Sequence, residues 1–222
     1  MRVSIHICTK DRATELAQLL TTLRNQTHKK WDLVIIDASK PNPLNSYPFI
    51  NDALQRIKCE HHGIQYLVET HPLGVCQARN KALHKDHFNN PVIARIDDDS
   101  ILEPQWLEKL VPLLEPDFVA AAGGIVPPWN APPTIRRTDC VKGIFNKITK
   151  TKNGWDIKDD GGFQYHPNLV LPSHHLRSSF LFKKKPALEI NGFQTIYGRA
   201  GFREETDFCV RLLMNNHSLR TD

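Results

Sequence analysis

Three consecutive carboxylates, Asp97-Asp98-Asp99, end a short apolar run that begins at Val92. Such a run is typical of a strand that is buried on both faces of a parallel sheet. Ligands bind beyond the carboxyl ends of the strands in open α/β sheets, and adjacent acids there repel one another unless a cation lies among them. Hard cations such as Mg²⁺ take one or two protein carboxylates and complete their coordination with water and substrate phosphates. The triplet therefore predicts either a divalent metal site or an acidic turn that caps the next helix.

A second group of acids, Glu204, Glu205 and Asp207, opens a stretch near the end of the sequence. The helix macrodipole stabilises acids in the first turn of a helix, which is a purely structural interpretation of this group. Three acids exceed what capping requires, so the stretch is also a candidate for a general base. Glutamate side chains are ionised at neutral pH and are able to accept a proton from a hydroxyl group.

Strand and helix patterns alternate along the first hundred residues, which is typical of a doubly wound sheet with right-handed crossovers. The predicted strands are residues 3–7, 33–36, 64–68, 92–97, 118–126 and 178–182. The predicted helices are residues 16–23, 49–57, 74–83 and 186–190, with a last one at the acids of 204–207. We expect Asp11 or Thr14 to cap the first helix.

Polar side chains follow three of these strands at the point where each strand ends. Thr9 and Arg12 follow the first strand, Asp37 follows the second, and the acid triplet follows the fourth. Because the carboxyl ends of parallel strands meet at one edge of a sheet, we expect these groups to lie together, as a nucleotide site requires. Neither the P-loop motif nor G-x-G-x-x-G follows the first strand, so P-loop nucleotide hydrolases and ordinary NAD dehydrogenases are disfavoured.

The composition of the 222 residues, with 40% hydrophobic and 24% charged side chains, is that of an ordinary globular protein. No apolar run reaches the roughly 18 residues of a transmembrane helix, and the net charge of +5 is too scattered to predict nucleic-acid binding. An odd number of cysteines without a C-x-x-C pair favours free thiols in a reducing compartment. We expect a cytoplasmic protein, and peripheral contact with the inner face of the membrane stays open.

The order and spacing of several segments of this sequence resemble those of the GT-A-fold glycosyltransferases of family 2. The matching segments, in order, are residues 3–12, Gln26-Thr27, residues 31–37, residues 74–80 and residues 97–107. The resemblance implies an α/β, Rossmann-like three-layer fold with a mostly parallel central sheet. It also implies an inverting transfer of a sugar from a nucleoside-diphosphate donor to an acceptor hydroxyl group.

The strand ends and the resemblance together lead us to expect six residues at the nucleotide sugar: Thr9, Arg12, Asp37, Arg79, Asp97 and Asp98. The following roles are those that the resemblance implies. Thr9 and Asp37 are expected at the base and Asp98 at the ribose, while Arg79 faces the base or the phosphates. Asp99 is expected to bind a Mg²⁺ or Mn²⁺ ion that bridges the diphosphate. Ala38 stands where the family often has a second acid, so recognition of the base is expected to depart from the usual uridine pattern. UDP-, GDP- and dTDP-sugars stay open as donors.

The acidic stretch Glu204-Glu205-Thr206-Asp207 resembles the motif that supplies the catalytic base in this family. Glu205 matches the second acid of the motif, where Asp is more usual, and is therefore favoured as the base over Glu204. Asp207 completes the expected catalytic group. The acceptor is expected to be a glycan, a lipid-linked molecule or another hydroxyl compound.

We expect a single GT-A domain over residues 1–222, with a nucleotide-sugar half at 1–126 and an acceptor and base half at 127–222. The segment from about Asn130 to Arg177 has poor periodicity and is expected to be irregular and to face the acceptor. Within it, His174 and His175 are interpreted as surface or supporting residues, because adjacent side chains of a strand point to opposite faces. Family members commonly continue beyond the acidic helix, so the chain is expected to be either truncated or a short member.

Two other classes stay open. A nucleotidyltransferase of related fold also uses an aspartate-bound metal, but it usually has a glycine-rich loop after its first strand, and residues 8–12 contain no glycine. A non-catalytic nucleotide-sugar-binding protein would retain Asp37 and Asp99 but needs no base, so the acids at 204–207 argue against it.

Overall fold

Strands and helices alternate through most of the computed structural model, which describes residues 1–114, 117–123, 147–152, 154–157, 171–176, 179–201 and 203–221. The strands are β1 (Val3–Thr9), β2 (Trp31–Asp37), β3 (Ile64–Val68), β4 (Val92–Asp97), β5 (Phe118–Ala122), β6 (Ile148–Thr151), β7 (Gly154–Ile157), β8 (Leu171–Ser173), β9 (Phe180–Lys183) and β10 (Ser218–Thr221). The helices are α1 (Ala13–Arg24), α2 (Pro48–Cys59), α3 (Val75–Lys85), α4 (Trp106–Leu110), α5 (Lys184–Glu189) and α6 (Glu204–Met214).

Within these ranges one eight-stranded sheet has the order β3-β2-β1-β4-β9-β5-β10-β8. Strands β1 to β4 pair in parallel, β9 runs antiparallel between β4 and β5, and β10 pairs in parallel with β5. A separate two-stranded sheet pairs β6 with β7 in antiparallel orientation. The expected mostly parallel sheet is confirmed.

Helices cover both faces of the sheet because side chains alternate along each buried strand. On β1, Val3, Ile5 and Ile7 pack with the buried leucines of α1 and with the apolar residues of α2. The other face carries Phe180 and Phe182 of β9, which pack against α5 and α6. This arrangement is the expected three-layer fold.

The register of β1 aligns the carboxyl ends of its two parallel neighbours. Thr9 lies opposite Asp37 of β2, and Cys8 lies opposite Asp97 of β4. The polar groups that follow these strands therefore share one edge of the sheet, as the sequence predicted. We call this edge the carboxyl edge.

The prediction of a side-chain cap on α1 was wrong. Arg12 occupies the N-cap position without a side-chain capping bond. Asp11 has a positive φ of 57°, and its carboxylate instead accepts a hydrogen bond from the backbone amide of Lys40 at 2.8 Å. Thr14 is not at the cap either, since the helix has already begun at Ala13.

The segment expected to be irregular, about residues 130–177, is only partly described. Its described residues contain three short strands, β6, β7 and β8, that the sequence did not predict. Strand β6 lacks apolar alternation, because its residues after Ile148 are exposed. The predicted continuation of β5 from 124 to 126 lies outside the described residues. The division between 126 and 127 stays a prediction. No helix in the described part of the chain is long and apolar enough to cross a membrane.

A buried histidine anchors β1 to the helical layer on one face. His6 Nε2 lies 3.3 Å from Asp86 Oδ2, and Lys184 Nζ lies 3.4 Å from the same oxygen. Burial lowers the pKa of His6, and the charge of Lys184 adds to that effect, although the Asp86 carboxylate opposes it. For Asp86, burial favours the neutral acid, but hydrogen bonds from His6 and Ser4 outweigh burial and hold its pKa below the usual range.

We expect His6 to make the fold less stable in mild acid. Below about pH 6.5 the unfolded chain protonates this histidine while the folded chain does not, so the free energy of unfolding falls with falling pH. In His6→Gln the fall in urea midpoint between pH 7.5 and pH 5.5 should be smaller than in the wild type. His84→Gln, at an exposed position, should retain the wild-type dependence. Equal dependence in all three proteins would contradict the assignment.

Candidate active site

Two acids of the triplet, Asp98 and Asp99, share the guanidinium group of Arg12 at the carboxyl edge. Asp98 is buried and accepts hydrogen bonds from Thr9 Oγ1 at 2.8 Å and from Arg12 Nη1 at 3.0 Å. The same nitrogen of Arg12 donates to Asp99 Oδ2 at 3.0 Å. Burial raises the pKa of Asp98, and neighbouring Asp99 adds to the rise, against the opposing effect of Thr9 and Arg12. The pair is therefore a place where a positive charge is stabilised.

Asp97 has different partners from the other two acids. Its Oδ1 accepts hydrogen bonds from Arg79 Nη2 and Arg95 Nη2, each at 3.1 Å. Burial, reinforced by the nearby charge of Arg95, lowers the pKa of Arg79 to about 10, so Arg79 keeps its charge at neutral pH. Arg95 is a site residue that the sequence analysis missed. The period-two alternation of β4 contained the signal, since residues two apart on a strand share one face.

A cavity of about 280 Å³ opens at this edge. Its charged lining residues are Arg12, Arg79, Arg95, Asp97, Asp98 and Asp99. Phe182, Phe193 and Val75 supply apolar walls, and Cys8 is also part of the lining. Burial raises the pKa of the Cys8 thiol to about 12, so it is protonated and a poor nucleophile at neutral pH. The cavity thus combines two guanidinium groups deep in the wall with two carboxylates that share Arg12.

Asp37, predicted at the nucleotide base, is fully buried beside the cavity-lining set rather than in it. Its Oδ1 accepts a hydrogen bond from the amide of Ser39 at 2.9 Å, and its Oδ2 accepts one from the amide of Leu44 at 2.6 Å. The hydroxyl of Tyr66 also donates to Oδ2 at 2.6 Å. Burial, together with this bond to Asp37, raises the pKa of Tyr66. Asp37 therefore shapes the loop that follows β2.

The three acids at the start of α6 lie in three different environments. Glu204 is buried and forms ion pairs with Arg79 and Arg95. Glu205 is partly exposed. Asp207 accepts a hydrogen bond from Arg211 Nε at 2.7 Å, one turn further along the same helix. Glu204 and Asp207 are thus engaged in ion pairs within the protein, and Glu205 has the exposure that a base acting on a bound substrate needs.

The segment between α5 and α6 is fastened to α3. Asn80 Nδ2 donates to the carbonyl of Phe193 at 2.7 Å, and the amide of Phe193 donates back to Asn80 Oδ1 at 2.7 Å. The amide of Val75 donates to the carbonyl of Arg199 at 3.1 Å. Gly201 has a positive φ of 66°, and a Cβ built on it would lie 2.1 Å from Val75 Cγ1. These contacts hold the start of α6 against the helix that carries Arg79.

We expect Gly201→Ala to destabilise the protein more than Gly198→Ala. Both glycines have positive φ, so both substitutions introduce backbone strain of about 1–2 kcal/mol. Only the Cβ at 201 also meets a neighbour, whereas a Cβ at 198 would meet no atom within 4 Å. Overpacking adds about 1–3 kcal/mol. Urea unfolding of the two variants measures the difference, and equal losses would contradict the role of the Val75 contact.

The carboxylates offer a site for a divalent cation without forming a complete cage. Among the described residues there is no group of three or more His, Cys, Asp or Glu side chains that could hold a metal ion. Asp98 and Asp99, already bridged by the cation of Arg12, match the one or two carboxylates that Mg²⁺ and similar ions use when substrate phosphates complete the shell. The donor set therefore fits a metal that is shared with a diphosphate.

The two adjacent histidines, His174 and His175, are not among the residues that line the cavity. His175 is buried, and its Nε2 is 3.1 Å from Thr206 Oγ1 in the first turn of α6. His174 Nδ1 lies within 3.3 Å of the backbone of Ile148. Both positions agree with the interpretation of these histidines as supporting residues, and His175 supports the helix that carries the acids.

Comparison with known proteins identifies the family. The family model described as glycosyl transferase family 2 matches residues 4–186. The chain belongs to glycosyltransferase family 2. The enzyme class implied by the sequence resemblance is thereby confirmed, and the fold comparisons below confirm the GT-A fold.

Two curated glycosyltransferases are similar to this chain in sequence. The chain is 27% identical over 224 residues to a glucosyl-dolichyl phosphate glucuronosyltransferase of Haloferax volcanii, an alignment that covers 96% of this chain and 63% of the relative. An uncharacterized glycosyltransferase of Haemophilus influenzae is 28% identical over 155 residues, which cover 69% of this chain and 43% of that relative. The chain thus spans less than two thirds of the length of either curated relative.

Solved structures with the same fold include a mannosyltransferase from Pyrobaculum calidifontis in complex with GDP-mannose and Mn²⁺. That structure has a TM-score of 0.63 and 16% identity, and the match covers all of this chain and 56% of the other. GalNAc-T7 with UDP, GalNAc and Mn²⁺ has a TM-score of 0.70 and 14% identity, and the match covers all of this chain and 42% of that protein. At such identities the likeness establishes the fold.

Proposed function

We propose that this family 2 domain is an inverting, metal-assisted glycosyltransferase that moves a sugar from a nucleoside-diphosphate donor to an acceptor hydroxyl group. The observation that carries the proposal is the cavity at the carboxyl edge, where Arg12, Asp98 and Asp99 lie in the same lining as Arg79. The acids at the start of α6 adjoin it through the ion pairs of Glu204.

The donor diphosphate occupies the charged side of this cavity in the proposal. Arg79 and Arg12 supply the positive charge that a diphosphate needs in the absence of a glycine-rich loop. Asp98, held by Thr9, receives the ribose, and the loop anchored by Asp37 borders the base. The neighbours solved with GDP-mannose and with UDP support a nucleotide in this fold, and they leave the base and sugar of this chain open.

Asp99 is the proposed ligand of a divalent cation, with Asp98 beside it. A side-chain exposure of 57% leaves Asp99 accessible, and Arg12, its present partner, is itself 49% exposed. Mg²⁺ or Mn²⁺ bound there would act as a Lewis acid that stabilises the departing diphosphate. Two of the neighbouring structures contain Mn²⁺, which supports the choice of ion.

Glu205 is the proposed general base. Its carboxylate takes the proton from the acceptor hydroxyl while the oxygen forms a bond to the anomeric carbon from the face opposite the nucleotide. The bond between that carbon and the phosphate oxygen breaks, and the nucleoside diphosphate leaves with the electron pair. Glu204 and Asp207 are proposed to hold the helix rather than to accept the proton.

The acceptor is proposed to be lipid-linked. The glucuronosyltransferase relative is named for a glucosyl-dolichyl phosphate substrate, which supports this class. Glycans and other hydroxyl compounds are the competing acceptors. The cytoplasmic location, with peripheral contact at the inner face of the membrane, stays a prediction.

Removal of the Asp99 carboxylate should abolish transfer that depends on the divalent ion. We expect Asp99→Ala to lower turnover by at least about 100-fold, because metal stabilisation of the leaving group contributes several kcal/mol. Release of nucleoside diphosphate from UDP-, GDP- and dTDP-sugars with Mn²⁺ measures the loss. Glu103→Ala, at a nearby acid that is 63% exposed, should retain wild-type turnover. Unchanged turnover in Asp99→Ala would contradict the metal assignment.

The base assignment predicts a loss of rate without a loss of donor binding. We expect Glu205→Gln to lower kcat by about 10²–10⁴-fold, the usual contribution of a general base, while donor affinity measured by calorimetry stays within about threefold. Glu189→Gln, at an exposed glutamate of α5, is the matched control. Wild-type kcat in Glu205→Gln would place the base elsewhere.

The assay also separates the other two functional classes. Release of inorganic pyrophosphate rather than nucleoside diphosphate would favour a nucleotidyltransferase. Thermal protection by a nucleotide sugar without turnover of any donor and acceptor pair would favour a non-catalytic binding protein.

A further inference from the structure

Four charged side chains beside the cavity form a closed ring of alternating sign. Arg79 Nη2 and Arg95 Nη2 each lie 3.1 Å from Asp97 Oδ1. Arg95 Nη2 also lies 3.1 Å from Glu204 Oε1, and Arg79 Nη1 forms an ion pair with the same oxygen. Each arginine therefore contacts both acids, and each acid contacts both arginines. We call this set the charge ring.

The charge ring is largely removed from solvent. The exposed fractions of its side chains are 10% for Arg79, 6% for Arg95, 2% for Glu204 and 31% for Asp97. The guanidinium of Arg95 lies 5.2 Å from the ring centre of Phe180. Removing one partner of a buried ion pair leaves an uncompensated charge, which is far more costly than breaking an exposed pair. The four members therefore hold one another in place.

Each acid of the charge ring directly precedes a proposed functional residue in the sequence. Asp97 ends β4 and directly precedes the proposed donor acids Asp98 and Asp99. Glu204 begins α6 and directly precedes the proposed base Glu205. The charge ring thus joins the residue before the donor site to the residue before the base, over a sequence separation of 109 residues at the pair of Arg95 and Glu204.

The donor site reaches the charge ring directly. Arg79, Arg95 and Asp97 line the cavity, whereas Glu204 is not part of the lining. A diphosphate in the cavity is a strong acceptor for guanidinium groups. Within the described residues, Arg79 and Arg95 are also the two cations paired with the carboxylate of Glu204.

We propose that Arg95 and Glu204 are positioning residues, which hold the first turn of α6 and its base at a fixed place relative to the donor diphosphate. The inference rests on the proposed function for the identity of donor and base. It separates two adjacent glutamates by role, since Glu204 is bound within the charge ring and Glu205 is left to the acceptor. It also gives Arg95 a task that no motif in the sequence assigned.

The first test uses Glu204→Gln and Arg95→Gln. A displacement of the base by about 1 Å can cost about 100-fold in rate. We therefore expect kcat to fall by about 10–100-fold in each variant while the donor KM stays within about threefold. The kcat of the double variant should be no lower than that of the less active single variant, because both residues act through the same charge ring. Arg95→Lys should recover part of the kcat, since it restores charge without the planar fork.

Asp32→Asn is the matched control. Asp32 is a buried acid that forms an ion pair with Arg2 and lies at the amino-terminal end of β2, away from the carboxyl edge. Its loss should lower stability and leave kcat of the folded fraction unchanged. If Asp32→Asn lowered kcat as much as the charge-ring variants do, the positioning role would be overturned in favour of a general effect of stability.

Hydrogen exchange tests the charge ring without relying on catalysis. We expect amides of residues 207–209 to exchange about tenfold faster in Glu204→Gln and Arg95→Gln than in the wild type, and at the wild-type rate in Asp32→Asn. Unchanged exchange in the charge-ring variants would overturn the inference whatever the activity. If a single variant fails to fold, the double variant, which removes one charge of each sign, gives the same readout.

The two proposals fail in different ways. Absence of transfer by the wild type with every donor and Mn²⁺ would overturn the proposed function, while the exchange rates would still decide whether the charge ring holds α6. Normal transfer in the wild type, together with wild-type kcat in both charge-ring variants, would overturn the positioning role alone.

Discussion

The parallel register of β1 between β2 and β4 is the constraint on which the rest of this site depends. Because Thr9 lies opposite Asp37 and Cys8 lies opposite Asp97, the polar residues that follow three strands meet at one edge. A slip of one residue in β4 would turn Arg95 and Asp97 to the opposite face of the sheet. The site is thus a product of strand pairing before any side-chain contact within it is considered.

Compensation of charge divides the acids of the site into groups with different roles. Asp98 and Asp99 share the half-exposed side chain of Arg12. Asp97 and Glu204 share two buried arginines that line the cavity wall. Asp97 and Asp98 are adjacent in sequence but differ in environment. The reason is that successive side chains at the end of a strand point to different sides.

The sequence was sufficient to predict six of the eight strands described in the sheet and the edge at which the candidate site lies, because alternation along a strand and the ends of parallel strands are local patterns. It did not predict β8 or β10, which are only three and four residues long. It could not predict that Glu204 pairs with Arg95, since the contact joins residues 109 apart and both types occur on many surfaces. The engagement of both Asp37 oxygens by the amides of Ser39 and Leu44 depends on the path of the loop after β2, which the pattern of residue types does not specify. Strands β6 to β8 escaped prediction because they are short and, in β6, mostly exposed.

The contrast between exposed and buried ion pairs makes the site respond unevenly to ionic strength. Salt screens exposed charges over about 8–10 Å, whereas buried pairs are screened much less. The pair of Arg12 and Asp99, with side-chain exposures of 49% and 57%, belongs to the first kind, and the pair of Arg95 and Glu204, at 6% and 2%, belongs to the second. We therefore expect concentrated salt to weaken the exposed pair of Arg12 and Asp99 and to leave the buried pair of Arg95 and Glu204 largely intact. The attraction between this cavity and a charged ligand would therefore depend on ionic strength, while the positions of the buried arginines in the cavity wall would not.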